Sequence, residues 1–234
     1  MKLNKNKVII VLTTGLLIIG CLVLYAYART WGKTDLEFKI HINEQLVRQS
    51  VFGESPTFAI WIENVESKEL KTIFVTQRAG EEDWEGKVEV PSALPRWDEI
   101  TKTEQQPIEE VSDVDAVSGA TPAPGYFITK VRVAPGSKWN CWIEMNLAGD
   151  YNDSYPEYDE TKRITDESGN GQPALLYKAY IEADLGKSVT PKVIGISTLT
   201  KEGNSIQPPK GITTALEVFD DISIAVVRPN PRIL

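Results

Sequence analysis

The sequence predicts an all-β domain, a sandwich of two sheets, behind a single apolar segment at the N-terminus. Three observations predict it. Apolar and polar residues alternate with a period of two along much of the chain after residue 35. Turn-forming stretches with Pro and Gly separate those segments at short intervals. Outside the N-terminus, no window longer than about ten residues carries a 3.6-residue apolar stripe. Together these indicate an immunoglobulin-like β-sandwich over residues 35–234.

The elements follow in chain order. Lys2, Lys5 and Lys7 precede Val8 to Ala28, a run without charge. As a helix, its twenty-one residues would span about 30 Å of hydrocarbon, the thickness of a bilayer core. Lysines before such a run hold that end in the cytoplasm and send the remainder across. Ala26-Tyr27-Ala28 is a small-x-small site for a signal peptidase cutting before Arg29, so residues 1–28 read as a signal anchor or a cleaved signal peptide. Ile18-Ile19-Gly20-Cys21 has the outline of a lipoprotein box, but Leu22 to Tyr25 remain apolar where a polar linker belongs. Each version places the body outside the cytoplasm, on the periplasmic side, tethered to the inner membrane or released from it.

Leu36 to Ile42 alternates as a strand with one buried face, and His41 falls on its polar side. Phe58–Ile62 and Thr72–Thr76 flank the polar Glu63–Glu69 and predict a hairpin. Phe127–Val133 and Trp139–Leu147 repeat that arrangement across Ala134-Pro135-Gly136-Ser137. In the later strand Trp139, Cys141, Ile143, Met145 and Leu147 share one face, opposite Asn140, Trp142, Glu144 and Asn146. Further strands are predicted at 174–183, 192–199, 214–219 and 222–227. Residues 77–125 and 148–173 interrupt the pattern as long irregular segments, which in compact domains are often functional.

Composition excludes several kinds of chemistry. One histidine in 234 residues cannot supply a His-rich zinc site or a pair of haem ligands. A formal charge of −8 argues against nucleic acid, and the body beyond residue 28 is more acidic, with 22 basic against 33 acidic residues. Such a body is repelled by anionic lipid, so attachment to a membrane falls to the N-terminal segment. Cys141 alone lies beyond the apolar run, which leaves the body without an internal disulfide and predicts a buried, inert thiol. Asp150, Asn152 and Ser154 open with calcium-loop spacing, but Tyr155 replaces the required Gly and Thr161 the closing Glu. No paired carboxylates are positioned for acid–base work and no nucleophile stands with a base, so the sequence contains no catalytic constellation.

One short motif carries chemistry. Asp115-Ala116-Val117-Ser118-Gly119-Ala120-Thr121 has the form D-x-x-S-G-A-T. It resembles the acceptor on which bacterial flavin transferases place FMN through its phosphate, as in FMN-binding domains of membrane electron-transport subunits. The resemblance implies a covalent FMN on Thr121, with Gly119 and Ala120 allowing close approach and Ser118 hydrogen-bonding a phosphate oxygen. Asp115 would hold the segment or the transferase's metal. It implies a flavin transferase and membrane redox proteins as partners. Trp97, between Arg96 and Asp98, is a candidate flavin or partner contact, or else a plug over the sandwich edge.

A broader resemblance covers nearly the whole body. Phe58 to Glu63, Lys71 to Thr76, Ala93 to Trp97, Asp115 to Gly125, Glu144-Met145-Asn146 with Asp150-Tyr151-Asn152, and Gly171 to Tyr177 carry it. These segments are similar to the predicted periplasmic family called domain of unknown function 2271. In that family a D-A-x-S/T-x-A-T segment followed by Pro-Gly belongs to the fold itself. The motif therefore has two readings, flavin attachment and an architectural turn. Pro122 pushes Thr121 toward extended backbone, which suits both. The corresponding functions are an electron relay and a cofactor-free interaction or assembly module.

Overall fold

A computed structural model describes residues 5–80, 93–104, 117–157, 161, 169–200 and 203–229. Helix α1 (Lys5–Thr30) is followed after three residues by strand β1 (Thr34–Ile42). The remaining elements are α2 (Glu44–Gln49), β2 (Thr57–Asn64), β3 (Leu70–Thr76), α3 (Gln77–Gly80), α4 (Pro95–Glu104) and β4 (Val117–Gly119). They continue with β5 (Gly125–Val133), β6 (Lys138–Asn146), β7 (Ala174–Glu182), β8 (Ser188–Val189), β9 (Lys192–Thr200), β10 (Gly203–Gln207) and β11 (Phe219–Val227).

The strands form two sheets. One has the order β5-β1-β11-β8, the other β10-β9-β7-β6-β2-β3-β4. All pairings are antiparallel except β3 with β4. The chain passes repeatedly between the sheets, as a sandwich requires, and the β-sandwich expected from the sequence is the architecture observed.

Its core is the sum of the alternating faces. Leu36, Phe38, Ile40 and Ile42 of β1 are fully buried against Phe58, Ile60 and Ile62 of β2, Ile143 and Met145 of β6, and Ile224 and Val226 of β11. Each large apolar side chain buried here stabilises the fold by roughly 1.5–3 kcal/mol. Phe58, Phe74, Phe127 and Phe219 meet edge-on or tilted, with centroids 4.5–5.4 Å apart, and join the two sheets at one end. Cys141 lies in this core; burial pushes its thiol up to about 12, so it is unreactive, as its place on the strand predicted.

The larger sheet is covered on its outer face as well. Ala59, Trp61, Val75 and Leu176 pack with Leu94 and Ile100 in a second apolar cluster, which Trp97 and Trp142 border. This explains why β2 and β7 contain unbroken apolar runs rather than alternation. Helix α4 and Leu94 supply the cover, so the segment 77–125, expected to be irregular, contains a helix across a sheet.

The strand predicted at 214–219 is a correction. Thr214–Glu217 forms a 3₁₀ turn, and β11 starts only at Phe219. Side-chain bonds hold that backbone off the ladder: Thr213 N donates to Gln172 Oε1 (2.7 Å), and Thr214 Oγ1 donates to Asp150 Oδ1 (2.6 Å).

The apolar N-terminal segment is helical along α1, and the large apolar side chains described in it from Leu12 to Tyr27 are exposed. Among the described residues no helix is long and apolar enough to cross a membrane.

Candidate functional site

Two places hold groups with possible chemistry: the exposed crossover that carries Thr121, and a buried carboxylate beneath α4.

The crossover runs from β4, at the edge of the larger sheet, to β5, at the edge of the smaller one. Val117, Ser118 and Gly119 pair with Phe74, Val75 and Thr76. Six residues after Gly119, Gly125 pairs with Ile42, so the five residues 120–124 bridge the two sheet edges at one end of the sandwich. Gly125 has φ +114°, a conformation that turns the chain into β5 and that a side chain would strain. Thr121 is exposed, and among the described residues its hydroxyl holds no hydrogen bond. Ala120 beside it is also exposed.

Gly119 has a structural explanation of its own. A Cβ there would lie 2.9 Å from Phe74 Cε2, so the glycine lets β4 close against the aromatic cluster. Asp115 lies outside the described residues. Ser118 sits at the centre of β4, with its backbone committed to Val75.

Trp97 belongs elsewhere. It lies in the first turn of α4, half-buried at the border of the second apolar cluster, with its indole N–H buried and without an acceptor among the described residues. Its backbone is tied to β6, three strand positions from β4, or about 14 Å at the usual strand spacing. Trp97 thus packs on the outer face of the larger sheet, not at the sandwich edge, with its backbone bonded to β6, three strand positions from β4.

The tie to β6 is Glu144, which the alternation placed on the polar face of its strand. Glu144 is fully buried. Arg96 N donates to Oε1 at 3.0 Å and Trp97 N to Oε2 at 2.7 Å, so one carboxylate satisfies two donors that the helix itself leaves unpaired. Burial raises its pKa from 4.5 to about 7, opposed by those two backbone bonds and by the Arg96 charge. The buried Ser197 hydroxyl also lies near enough to lower the value, without meeting hydrogen-bond geometry. Pro95 at the first helical position and Asp98 in the first turn were signals of this helix in the sequence.

A second polar network ties the long loops together. Gln172, almost fully buried, donates from Nε2 to Asp150 Oδ2 and to Thr214 Oγ1, both at 2.8 Å. Asn152 Nδ2 donates to Gly211 O and Thr213 Oγ1, each at 2.9 Å, and Asn146 Nδ2 to Gln172 O at 2.8 Å. Burial raises the Asp150 pKa and the Thr214 bond opposes the rise. Asp150 and Asn152, which open the calcium-like spacing, are spent on this scaffold. Among the described residues no group of acids, cysteines and histidine is placed to hold a metal.

His41 lies on the outer face of the smaller sheet, half-buried. Its Nδ1 is 2.6 Å from Asp220 Oδ1 and its ring 4.6 Å from that of Tyr126. It is used in a surface pair.

No family model matches the chain, and no curated protein or solved structure is significantly similar to it.

Proposed function

We propose that the protein is a membrane-anchored, extracytoplasmic β-sandwich that carries FMN covalently on Thr121 and relays electrons in a membrane-associated redox system. One observation carries this reading: within a D-x-x-S-G-A-T segment the threonine is exposed, its hydroxyl without a hydrogen bond among the described residues, on a crossover between sheet edges. A phosphoester at that oxygen needs no rearrangement of the core. The fit rests on Thr121 itself, because the space opened by Gly119 is filled by Phe74. When bound, FMN would supply the redox chemistry. The chain's contribution is attachment and position. The exposed apolar side chains of α1, preceded by Lys2, Lys5 and Lys7, support an anchor with its N-terminus in the cytoplasm.

The packing of Gly119 on Phe74 favours a second reading, a cofactor-free interaction module in which the motif is architectural. Co-expression with an active flavin transferase separates the two. A band that fluoresces on a denaturing gel, with an intact mass raised by one FMN and both signals lost in Thr121→Ala, supports the relay. An unmodified mass beside an active transferase rejects it. Thr121→Ala leaves stability within about 0.5 kcal/mol, since an exposed side chain without partners is removed.

A further inference from the structure

Four strands form the lateral edges of the two sheets: β5 and β8 in the smaller, β10 and β4 in the larger. Three of these edges are short, with two residues in β8, five in β10 and three in β4. Strand β5 has nine, and all nine pair with β1 in an unbroken register, from Gly125 with Ile42 to Val133 with Thr34. Among the described residues no strand pairs with its other side. About half of the N–H and C=O groups of an antiparallel edge strand point away from its one neighbour, so β5 presents a row of them along its free side.

Long edges in soluble proteins carry devices against association: a proline, a bulge, or unpaired charges. β5 contains no proline and no bulge. Its two cations are neutralised within the sheet, with Lys130 Nζ 2.6 Å from Glu37 Oε2 and Arg132 Nε donating to Asp35 Oδ1 at 3.0 Å. Beside them on the outer face stand Tyr126 and Ile128, 59 % and 52 % exposed. On the inner face Phe127 and Thr129 are only half-buried, whereas Val131 and Val133 of the same strand are buried. The charge balance points the same way. In a body of 22 basic against 33 acidic residues, β1 and β5 together hold three cations, Lys39, Lys130 and Arg132, against two anions, Asp35 and Glu37. Two acidic bodies meet along this edge without the repulsion that their net charge imposes on the whole.

We propose that the free edge of β5 binds a second copy of this chain, the two β5 strands pairing antiparallel about a two-fold axis at Thr129. The residue pattern selects that axis. It aligns the whole strand with its image, from Gly125 with the partner's Val133 to Val133 with the partner's Gly125. On the outer face Tyr126 meets the partner's Arg132, and Ile128 meets the partner's Lys130. Each cation then lies against a ring or an aliphatic side chain, and no like charges are opposed. Moving the axis to Lys130 sets that lysine against its own copy, and moving it to Val131 sets Lys130 against Arg132. Moving it to Ile128 leaves Arg132 opposite Pro124, outside the strand. On the inner face Phe127 meets the partner's Val131 and Thr129 its own copy, which covers both half-buried side chains. The interface is isologous, closes at two copies, and joins the two four-stranded sheets into one. It uses neither Thr121 nor any group attached there.

The test uses the full chain in mild detergent, with the detergent density-matched, in sedimentation equilibrium across micromolar concentrations. A dimer is expected, and a monomer throughout overturns the proposal. Ile128→Lys changes an exposed position, leaves the urea midpoint in place, and opposes two cations on each side of the axis, weakening the dimer about tenfold or more. Adding Lys130→Ile returns an aliphatic side chain opposite each lysine and restores the dimer. A dimer indifferent to Ile128→Lys arises from another surface, α1 included, and overturns the edge pairing. A loss that Lys130→Ile does not rescue overturns the register. Thr129→Cys in a Cys21→Ser chain, where Cys141 is buried, reads the axis directly. Its thiol faces its own copy, so mild oxidation gives a covalent dimer, whereas Lys187→Cys, beside β8 at the opposite edge of the smaller sheet, gives none. Equal cross-linking at the two positions, or none at 129, overturns the axis.

Discussion

Glu144 offers a measurement that reads the buried face of the larger sheet directly. Its pKa rises from 4.5 to about 7 on folding, because burial disfavours the carboxylate more than two backbone donors and Arg96 restore it. A folded-state pKa above the unfolded one means that the folded protein binds the extra proton. The contribution of Glu144 is therefore most favourable below about pH 4.5 and is lost as pH rises through 7. The full difference is ~3 kcal/mol, of which about 2.5 kcal/mol falls between pH 5 and pH 8. Glu144→Gln removes this titration while keeping shape and one acceptor oxygen. The full chain in mild detergent is unfolded in urea at several pH values and followed by tryptophan emission, to which Trp61, Trp97 and Trp142 around α4 contribute. Between pH 5 and 8 the wild type loses about 2–3 kcal/mol relative to Glu144→Gln. Parallel stability curves for the two proteins across this range would refute the account of a buried, proton-linked cap. Glu144→Ala deprives Arg96 N and Trp97 N of their acceptor, costing about 2–5 kcal/mol at neutral pH.

Three further outcomes follow from the packing. Gly119→Ala places a methyl carbon 2.9 Å from Phe74 Cε2 and costs about 1–3 kcal/mol in urea unfolding, while the milder Thr121→Ala does not. Gln172→Ala leaves Asp150, Thr213 and Thr214 short of partners in a buried setting, and lowers stability by roughly 2–4 kcal/mol; an unchanged midpoint would show that water replaces the amide. Cys141 stays unlabelled by maleimide in the native protein at pH 8 and reacts once urea unfolds the domain, since its thiol is buried and its pKa stands near 12.

Much of the sandwich was legible because a strand with one wet face writes its burial into every second residue. The alternation from Leu36 to Ile42 and from Trp139 to Leu147 gave β1 and β6 nearly to the residue; the Pro-Gly turn between 133 and 138, expected to close a hairpin, instead carries the chain from β5 in the smaller sheet to β6 in the larger, because which strand pairs with which is set by long-range packing. The short strands β4, β8 and β10 have two to five residues each, too few for a period to show. Thr214–Glu217 looked extended by composition, yet its backbone is held by Gln172 and Asp150, more than forty residues away along the chain.

The sequence alone determined the strand pattern, the inert cysteine, the acidic body and the D-x-x-S-G-A-T segment, because each depends on residue identity and short spacing. Tertiary structure decided what lies over each face. Glu144 alternates as an outward residue, and only the arrival of α4 from fifty residues upstream makes it a buried cap with a pKa near 7. Likewise the exposure of Thr121 and its place between sheet edges come from β4 and β5 joining different sheets. Local spacing records which side of a strand a residue takes; the solvent or protein it meets there depends on long-range packing, which no short window contains.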